Sequence, residues 1–264
     1  PSGTTNMDFE FNQSSTVSSN GVTPVRTQGD LLIQYDLSQG GTNPTLWLST
    51  WETADKNKCE SASKVPCWGA KQNLTAAGTA TGSINTSAIP SGSSDGLGSI
   101  SPRTFGEATI NFSRQVPPGT CTSFGSAYLK SRSSDSFTSA LKDFIAPMSV
   151  SISNCGGVKI VKTDDAGNPL AGAEFTLYKN AAPTTAPRGA EDVITSPVKK
   201  CTTDAQGVCT MTGVLIGDYW AVESVVPAGH IGSADVAVSV TGEQTVTVNV
   251  VNQRQRGAML GEPG

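Results

Sequence analysis

The sequence predicts an all-β protein with two domains. Short segments rich in Val and Ile recur along the chain, bounded by Gly, Pro or Asn. Long helix-forming stretches are scarce, while Gly, Ser and Thr are abundant. The 264 residues are enough for two domains of ordinary size. We expect an N-terminal, jelly-roll-like β-sandwich at 1–155, a second β-sandwich at 156–254 and a tail at 255–264.

The charge of the chain argues against two classes of partner. Charged residues make up 15% of the sequence, and the net charge is -4. A protein that binds nucleic acid or an anionic membrane surface usually carries a basic excess, which is missing here. The sequence also contains no run of eighteen apolar residues, so we predict no membrane-spanning helix.

The first predicted strand, Met7–Asn12, alternates strictly between apolar and polar residues. Phe9 and Phe11 are expected to face the core, which leaves Asp8, Glu10 and Asn12 on the opposite face. Acidic groups on one face could bind calcium, but a solvated sheet face is the commoner arrangement. We therefore predict no metal site and no cofactor.

Two more strands are predicted at Asp30–Asp36 and Thr45–Trp51, followed by a polar loop that is a candidate for recognition. Trp47, Trp51 and Trp68 border this loop. Together they could form an aromatic platform for a sugar or a peptide, although tryptophans in such positions are more often partly buried packing residues.

The end of the first domain allows two interpretations. Glu107–Phe112 reads as a strand, and Met148–Ser153 reads as the last one. Between them, Ser136–Ile145 places four apolar residues on one helical face, which predicts a helix. Alternatively, this segment and Tyr128–Arg132 are two strands joined by a serine-rich turn. Periodicity alone does not separate these alternatives.

The six cysteines favour disulfide bonds rather than a metal site. Two pairs each enclose a short segment, and the remaining two cysteines are left for each other. A zinc site is disfavoured because the chain has one histidine and no Cys-x-x-Cys motif. Disulfides indicate an oxidising, extracellular environment. The predicted pairs are Cys59 with Cys67, Cys121 with Cys155, and Cys201 with Cys209.

Three valine-rich segments in the second domain each carry a polar residue where a valine would be expected. They are Val158–Lys162, Val222–Gly229 and Val246–Asn252. If their strands are neighbours, a lysine, a glutamate and an asparagine meet inside an apolar core. That burial costs free energy unless the groups neutralise one another or react.

Four ordered motifs lie between about residue 155 and 254. They are Gly157–Leu177, Thr203–Gly207, Gly213–Tyr219 with Glu223, Pro227 and Gly229, and Val251–Arg254. Together they resemble a Cna B-type domain, the SpaA-like prealbumin fold of Gram-positive surface proteins. The resemblance implies an Ig-like or transthyretin-like sandwich, and the first domain resembles the domain that precedes such modules in secreted actinobacterial surface proteins.

The family resemblance also implies a spontaneous isopeptide bond between a lysine and an asparagine. By position, Lys159 is the nucleophile, Asn252 the electrophile and Glu223 the catalytic residue that shuttles protons. Lys162 is the competing nucleophile; it lies three residues further on and therefore on the opposite strand face. We expect Lys159 to point inward.

These inferences predict a non-enzymatic extracellular protein, secreted or associated with the cell wall of a Gram-positive bacterium. Its only reaction would be the single-turnover cross-link. It would be a pilin-like fibre subunit, a stalk or an adhesin, and its partners would be other surface-protein subunits or an environmental glycan or protein. The alternative is a carbohydrate- or peptide-binding module presented on a Cna B-type spacer, for which tryptophan fluorescence should respond to soluble glycans.

Overall fold

A computed structural model describes residues 5–37, 42–182 and 187–256. These residues contain eighteen strands and three short 3₁₀ turns, so the all-β prediction is confirmed. Of the tail expected at 255–264, residues 257–264 lie outside the described part. No helix in the described ranges is long and apolar enough to cross a bilayer. The chain divides into two compact units: unit 1 runs to Pro118 and includes Ser123–Ile152, while unit 2 comprises Gly119–Thr122 and the chain from Ser153 onward.

Nine strands belong to the first part of the chain. They are β1 (Thr5–Asn12), β2 (Leu31–Leu37), β3 (Thr45–Glu52), β4 (Cys67–Trp68), β5 (Gln72–Asn73), β6 (Ala80–Ile84), β7 (Gly106–Ile110), β8 (Ser123–Arg132) and β9 (Leu141–Ser153). The 3₁₀ turns lie at Lys56–Lys58, Ser91–Ser93 and Phe112–Arg114.

Unit 1 is built from two sheets of unequal size. A seven-stranded sheet has the order β4-β3-β2-β1-β8-β9, with β5 also paired to β3, and β6 and β7 form a separate two-stranded sheet. The apolar core of the unit lies between the two sheets, because residues of β2, β3 and β8 pack there against residues of β6 and β7. Its buried members are Leu31, Ile33, Tyr35, Leu37, Leu46, Leu48, Leu74, Ala80 and Phe124.

The polar face of β1 is buried rather than solvated, which corrects the sequence-based expectation. Glu10 is fully buried and pairs with Arg26 at 2.5 Å and with Lys130 at 3.4 Å. Asp8 is also buried and pairs with Arg132 at 2.9 Å. Carboxylates tolerate such burial only when cations compensate them, and these cations come from distant parts of the sequence.

The two alternatives for residues 128–145 are now distinguished. Ser136–Ile145 is not a helix; β8 and β9 are strands, joined by a serine-rich turn. β9 lies at the edge of the seven-stranded sheet next to β8. Pairing with an existing sheet edge supplies backbone hydrogen bonds that outweigh a weak helical periodicity.

Unit 2 contains the remaining strands. They are β10 (Cys155–Asp164), β11 (Glu174–Lys179), β12 (Val193–Ile194), β13 (Lys200–Thr202), β14 (Val208–Leu215), β15 (Gly217–Val225), β16 (His230–Ile231), β17 (Val236–Val240) and β18 (Thr245–Arg254).

Two sheets form the sandwich of unit 2. One has the order β14-β10-β18-β16, with β10 antiparallel to β14 and parallel to β18. The other has the order β12-β11-β15-β17, with β13 also paired to β11. Both sheets contribute to the core, including Val158, Ile160, Phe175, Leu177, Val248 and Val250. The first and last strands of this unit are therefore direct neighbours.

Candidate functional site in the second unit

The lysine that points into unit 2 is Lys162. Along β10, Val158, Ile160, Lys162 and Asp164 are buried, whereas Lys159 is only partly buried. The side chain of Lys162 has no exposed surface. The expectation that Lys159 points inward is thus wrong for this structure, because strand alternation places Lys159 on the face opposite the core.

The inward position of Lys162 could have been read from the sequence. Val158 and Ile160 precede it at intervals of two, so the three residues share one strand face. Two large aliphatic residues identify that face as the core face. The other face has Val161 as its only large aliphatic residue in this segment. The resemblance to a family position obscured this simpler signal.

Asn252 is also fully buried, on the strand next to Lys162. In the parallel pair of β10 and β18, Lys162 lies opposite Val250, and Asp164 lies opposite Asn252. Within the described residues, the amide oxygen Oδ1 of Asn252 accepts no hydrogen bond. A buried carbonyl oxygen without a hydrogen bond costs free energy. The packing around Asn252 therefore keeps this amide buried although one of its polar atoms has no partner.

Glu223 reaches the site from the facing sheet. It lies on β15 and is partly buried, and its Oε1 accepts a hydrogen bond from Nδ2 of Asn252 at 2.8 Å. Its Oε2 accepts a hydrogen bond from the backbone N–H of Ser233 at 2.9 Å. The carboxylate is therefore oriented on one side by a backbone group and directed on the other side at the asparagine amide.

The environment of Lys162 shifts its amine toward the neutral form. Burial lowers the pKa of the Lys162 amine, although the negative charges of Glu223 and Asp164 oppose that shift. Nζ donates hydrogen bonds to the backbone oxygens of Thr163 at 3.1 Å and Val250 at 3.4 Å. A neutral amine has a free lone pair, which is the form needed for nucleophilic attack.

The structure confirms the three predicted disulfides. Cys59 bonds to Cys67, Cys121 to Cys155, and Cys201 to Cys209. The described residues contain no free cysteine. They also contain no group of three or more His, Cys, Asp or Glu residues placed to hold a metal ion.

The three tryptophans of the predicted platform have different environments. Trp51 and Trp68 pair across β3 and β4, with ring centroids 5.0 Å apart and edge-to-face geometry. Arg26 lies over both rings, at 5.1 and 5.5 Å. Trp47 contacts the amine of Lys71 at 4.7 Å instead. The platform for a sugar or a peptide remains a prediction.

Comparison with known proteins gives a family match for the second part of the chain and, among solved structures, matches of low sequence identity. The family model described as "SpaA: Prealbumin-like fold domain" matches residues 156–254. A search of curated proteins returned no match.

Several solved structures resemble the chain at low identity. GBS52, the minor pilin of Streptococcus agalactiae, is 17% identical over 61% of this chain and 74% of that chain, with a TM-score of 0.32. The backbone protein of pilus 2b from group B streptococcus is 15% identical over 95% and 86%, with a TM-score of 0.34. BcpA, the major pilin subunit of Bacillus cereus, is 14% identical over 95% and 60%, also with a TM-score of 0.34. These scores are too low to support conclusions about function.

The family match covers the same residues as the sandwich in which β10 and β18 are neighbours and β15 lies in the facing sheet. The order of the motifs along the sequence and the arrangement of the strands in space therefore indicate the same fold for these residues. Residues 156–254 of this chain are a SpaA-type, prealbumin-like fold domain.

Proposed function

We propose that the chain is a non-enzymatic, pilin-like structural subunit of an extracellular fibre, and that unit 2 locks itself with an amide bond between Lys162 and Asn252. The observation that carries the proposal is the complete burial of both side chains on adjacent strands, with Glu223 hydrogen-bonded to the amide that would react. A buried amine in an apolar core costs stability even when backbone oxygens accept its hydrogen bonds, and a covalent bond would remove that cost.

The proposed reaction balances with the groups of the site. The neutral Nζ of Lys162 attacks Cγ of Asn252, a C–N bond forms, and the original C–Nδ2 bond breaks. Glu223 accepts a proton from the attacking amine and donates one to Nδ2, which leaves as ammonia. The fixed strands supply the proximity that makes an ordinary amide reactive. No oxidant, metal or cofactor is required.

The location of the bond suits a protein that carries tension. Lys162 and Asn252 lie about 90 residues apart, so closing this loop would stabilise the unit by about 4.6 kcal/mol through the entropy of the unfolded chain. Because the bond would join the first and last strands of unit 2, a pulling force on these strands would be borne by covalent bonds. Fibre subunits, stalks and adhesins experience such forces.

The disulfides support an extracellular location. Three disulfides in one chain indicate an oxidising compartment, because cytosolic thiols are kept reduced. The partners that fit this role are other subunits on a bacterial surface. The SpaA-type domain at residues 156–254 supports the same assignment.

Intact mass tests the covalent bond. After full reduction, the wild-type chain should be lighter by about 17 Da, the mass of one ammonia, than its sequence predicts. The Lys162→Ala and Glu223→Ala variants should each have the full mass calculated for their sequences. A wild-type chain without the deficit would contradict the cross-link.

Lys159→Ala is the matched control. It removes a lysine from the same strand, three residues before Lys162 and on the opposite face, and should keep the deficit. If Lys159→Ala lost the deficit while Lys162→Ala kept it, the choice of nucleophile would be wrong. Tandem mass spectrometry of a protease digest should identify the branched peptide that joins the two strands.

A further inference from the structure

The chain between β15 and β17 crosses from one sheet of unit 2 to the other and back. We call residues 226–235 the connecting segment. Its short strand β16 pairs with the end of β18, where Ile231 lies opposite Gln253. Gln253 directly follows Asn252, the proposed electrophile. The connecting segment therefore joins the strand that carries Glu223 to the strand that carries Asn252, close to the site itself.

Beyond β16, the connecting segment binds one oxygen of the Glu223 carboxylate. The backbone N–H of Ser233 donates a hydrogen bond to Oε2 at 2.9 Å, and its hydroxyl donates one to the same oxygen at 3.4 Å. A Cβ at Gly232 would lie 3.5 Å from Oε2, so the backbone also packs against this oxygen. Each carboxylate oxygen has about two lone-pair sites. The two donors of Ser233 therefore occupy the sites at Oε2.

The other oxygen of this carboxylate, Oε1, faces the reacting amide. Within the described residues it accepts one hydrogen bond, from Nδ2 of Asn252 at 2.8 Å. Nδ2 is the nitrogen that leaves in the proposed reaction, so Oε1 already contacts the atom that must gain a proton. Oε1 also keeps a lone-pair site that no described donor fills. A proton that enters the carboxylate therefore finds a site at Oε1, whereas at Oε2 it would have to displace a donor of Ser233.

We propose that Ser233 is a positioning residue for the cross-linking reaction and confines the proton shuttle to Oε1 of Glu223. The inference rests on the proposed bond between Lys162 and Asn252. When Nζ attacks Cγ of Asn252, the new C–N bond forms and the amine proton passes to Oε1. The same oxygen then gives the proton to Nδ2, the C–Nδ2 bond breaks, and ammonia leaves. Ser233 keeps both of its hydrogen bonds to Oε2 throughout.

The hydroxyl of Ser233 does more than orient the carboxylate. Hydrogen bonds to a carboxylate stabilise its ionised form, which is the form that accepts the amine proton. Ser233→Ala removes the hydroxyl and its hydrogen bond of 3.4 Å but keeps the backbone hydrogen bond of 2.9 Å. This variant should therefore slow the cross-link rather than abolish it.

The first test measures the rate of cross-linking in the full-length chain. Chain from cell-free synthesis is collected unfolded in urea with reductant and diluted into a native redox buffer, where tryptophan fluorescence follows its folding. Intact mass of reduced samples then gives the fraction that has lost one ammonia at each time. Ser233→Ala should react about two- to tenfold more slowly than the wild type, which is the range expected for one hydrogen bond. Ser233→Thr, which keeps the hydroxyl, should react at the wild-type rate.

Ser239→Ala is the matched control for this rate. The hydroxyl of Ser239 donates a hydrogen bond to the carboxylate of Asp218, which lies on β15 like Glu223 but outside the site. Its loss should leave the rate of cross-linking unchanged. If Ser239→Ala slowed the reaction as much as Ser233→Ala, the effect would belong to folding of the sheet, and the role of Ser233 would be overturned.

A spectroscopic measurement separates positioning from a purely structural role. In a Lys162→Ala background no cross-link forms, so the Glu223 carboxyl can be followed through the chemical shift of its carboxyl carbon. Adding Ser233→Ala should move this titration to higher pH by about half a unit, because the ionised form has lost a donor. Lys162 is the cation whose charge interacts with Glu223 from β10. It is absent from both samples, so their difference reports the hydroxyl of Ser233.

The outcomes distinguish this inference from the proposed function. A wild-type chain that never loses ammonia would contradict the cross-link, and the role of Ser233 would fall with it. A wild-type chain that loses ammonia, while Ser233→Ala reacts equally fast or its Glu223 carboxyl titrates at the same pH, would overturn the role of Ser233 and leave the cross-link in place.

Discussion

Lys162 and Asn252 lie on the same inward face of two adjacent parallel strands, offset by one pleat: Lys162 is opposite Val250, and Asn252 is opposite Asp164. Both side chains are fully buried. The offset brings an amine and a carboxamide into the same part of the core, while Glu223 approaches from the other sheet. Each of the three groups therefore comes from a different strand, and the sandwich must form before they meet.

Stability should separate the two lysines as clearly as mass does. Lys162→Ala removes the proposed cross-link and should lower the free energy of unfolding of unit 2 by about 4 to 5 kcal/mol. Lys159→Ala should change it by less than about 0.5 kcal/mol, because the residue lies outside the core. Urea unfolding with the disulfides intact measures both. Equal effects of the two substitutions would contradict the assignment.

In unit 2, the ionisation of Asp164 should favour folding. Hydrogen bonds from the side chain and backbone of Asn168, together with one from the backbone of Ala166, hold the pKa of the Asp164 carboxyl at about 2, below its ordinary value near 4. The contribution of this group to stability is thus present above pH 4 and is lost as pH falls toward 2. Asp164→Asn should flatten this part of the pH dependence of unfolding. An unchanged profile would show that the carboxylate has no such role.

Asp36 in unit 1 should have the opposite effect. Burial raises the pKa of its carboxyl to about 6; the charges of Asp135 and Asp8 add to the shift, and those of Lys71 and Arg132 oppose it. Between pH 4 and 6 the unfolded chain ionises at this position while the folded chain does not, so stability is lost as pH rises through that range. Carboxyl chemical shifts should report the titration, and Asp36→Asn should remove this loss. A carboxyl that titrates near 4 would contradict the prediction.

The buried ion pair of Asp8 and Arg132 should be sensitive to the loss of one partner. Arg132→Leu leaves the carboxylate of Asp8 with less compensation and should destabilise unit 1 by about 3 to 5 kcal/mol. The double variant Asp8→Leu with Arg132→Leu should recover part of that loss, because no uncompensated charge remains at the pair. Chemical denaturation of the single and double variants makes the comparison. A single variant that costs less than about 1 kcal/mol would show that Lys130, whose Nζ lies 4.0 Å from Oδ2 of Asp8, compensates this carboxylate without Arg132.

The disulfides should differ in their contribution to stability according to the loops they close. Cys121 and Cys155 are 34 residues apart, while Cys201 and Cys209 are 8 apart. Loop-closure entropy predicts losses of about 3.8 and 2.5 kcal/mol when each pair is replaced by alanine. Denaturant unfolding of the two double-alanine variants tests the order, and a larger loss for the short loop would contradict the entropic account.

Much of this protein was determined by local sequence. Alternating and valine-rich runs located most of the long strands, and cysteine spacing identified the three disulfides. The resemblance of the sequence motifs to a family selected Glu223 and Asn252. Even the inward orientation of Lys162 was present in the sequence, because Val158 and Ile160 share its face. These features are local because strand alternation and short loops depend on neighbouring residues.

Tertiary structure alone decided the remaining features. Residues 136–145 belong to a turn and a strand because β8 offers an edge for pairing. Asp8 and Glu10 are buried because Arg26, Lys130 and Arg132, far away in sequence, converge on them. Glu223 meets Asn252 across two sheets. Each of these features depends on which distant segments pack together, and that choice follows from the balance of burial and charge compensation over the whole unit rather than from any local pattern.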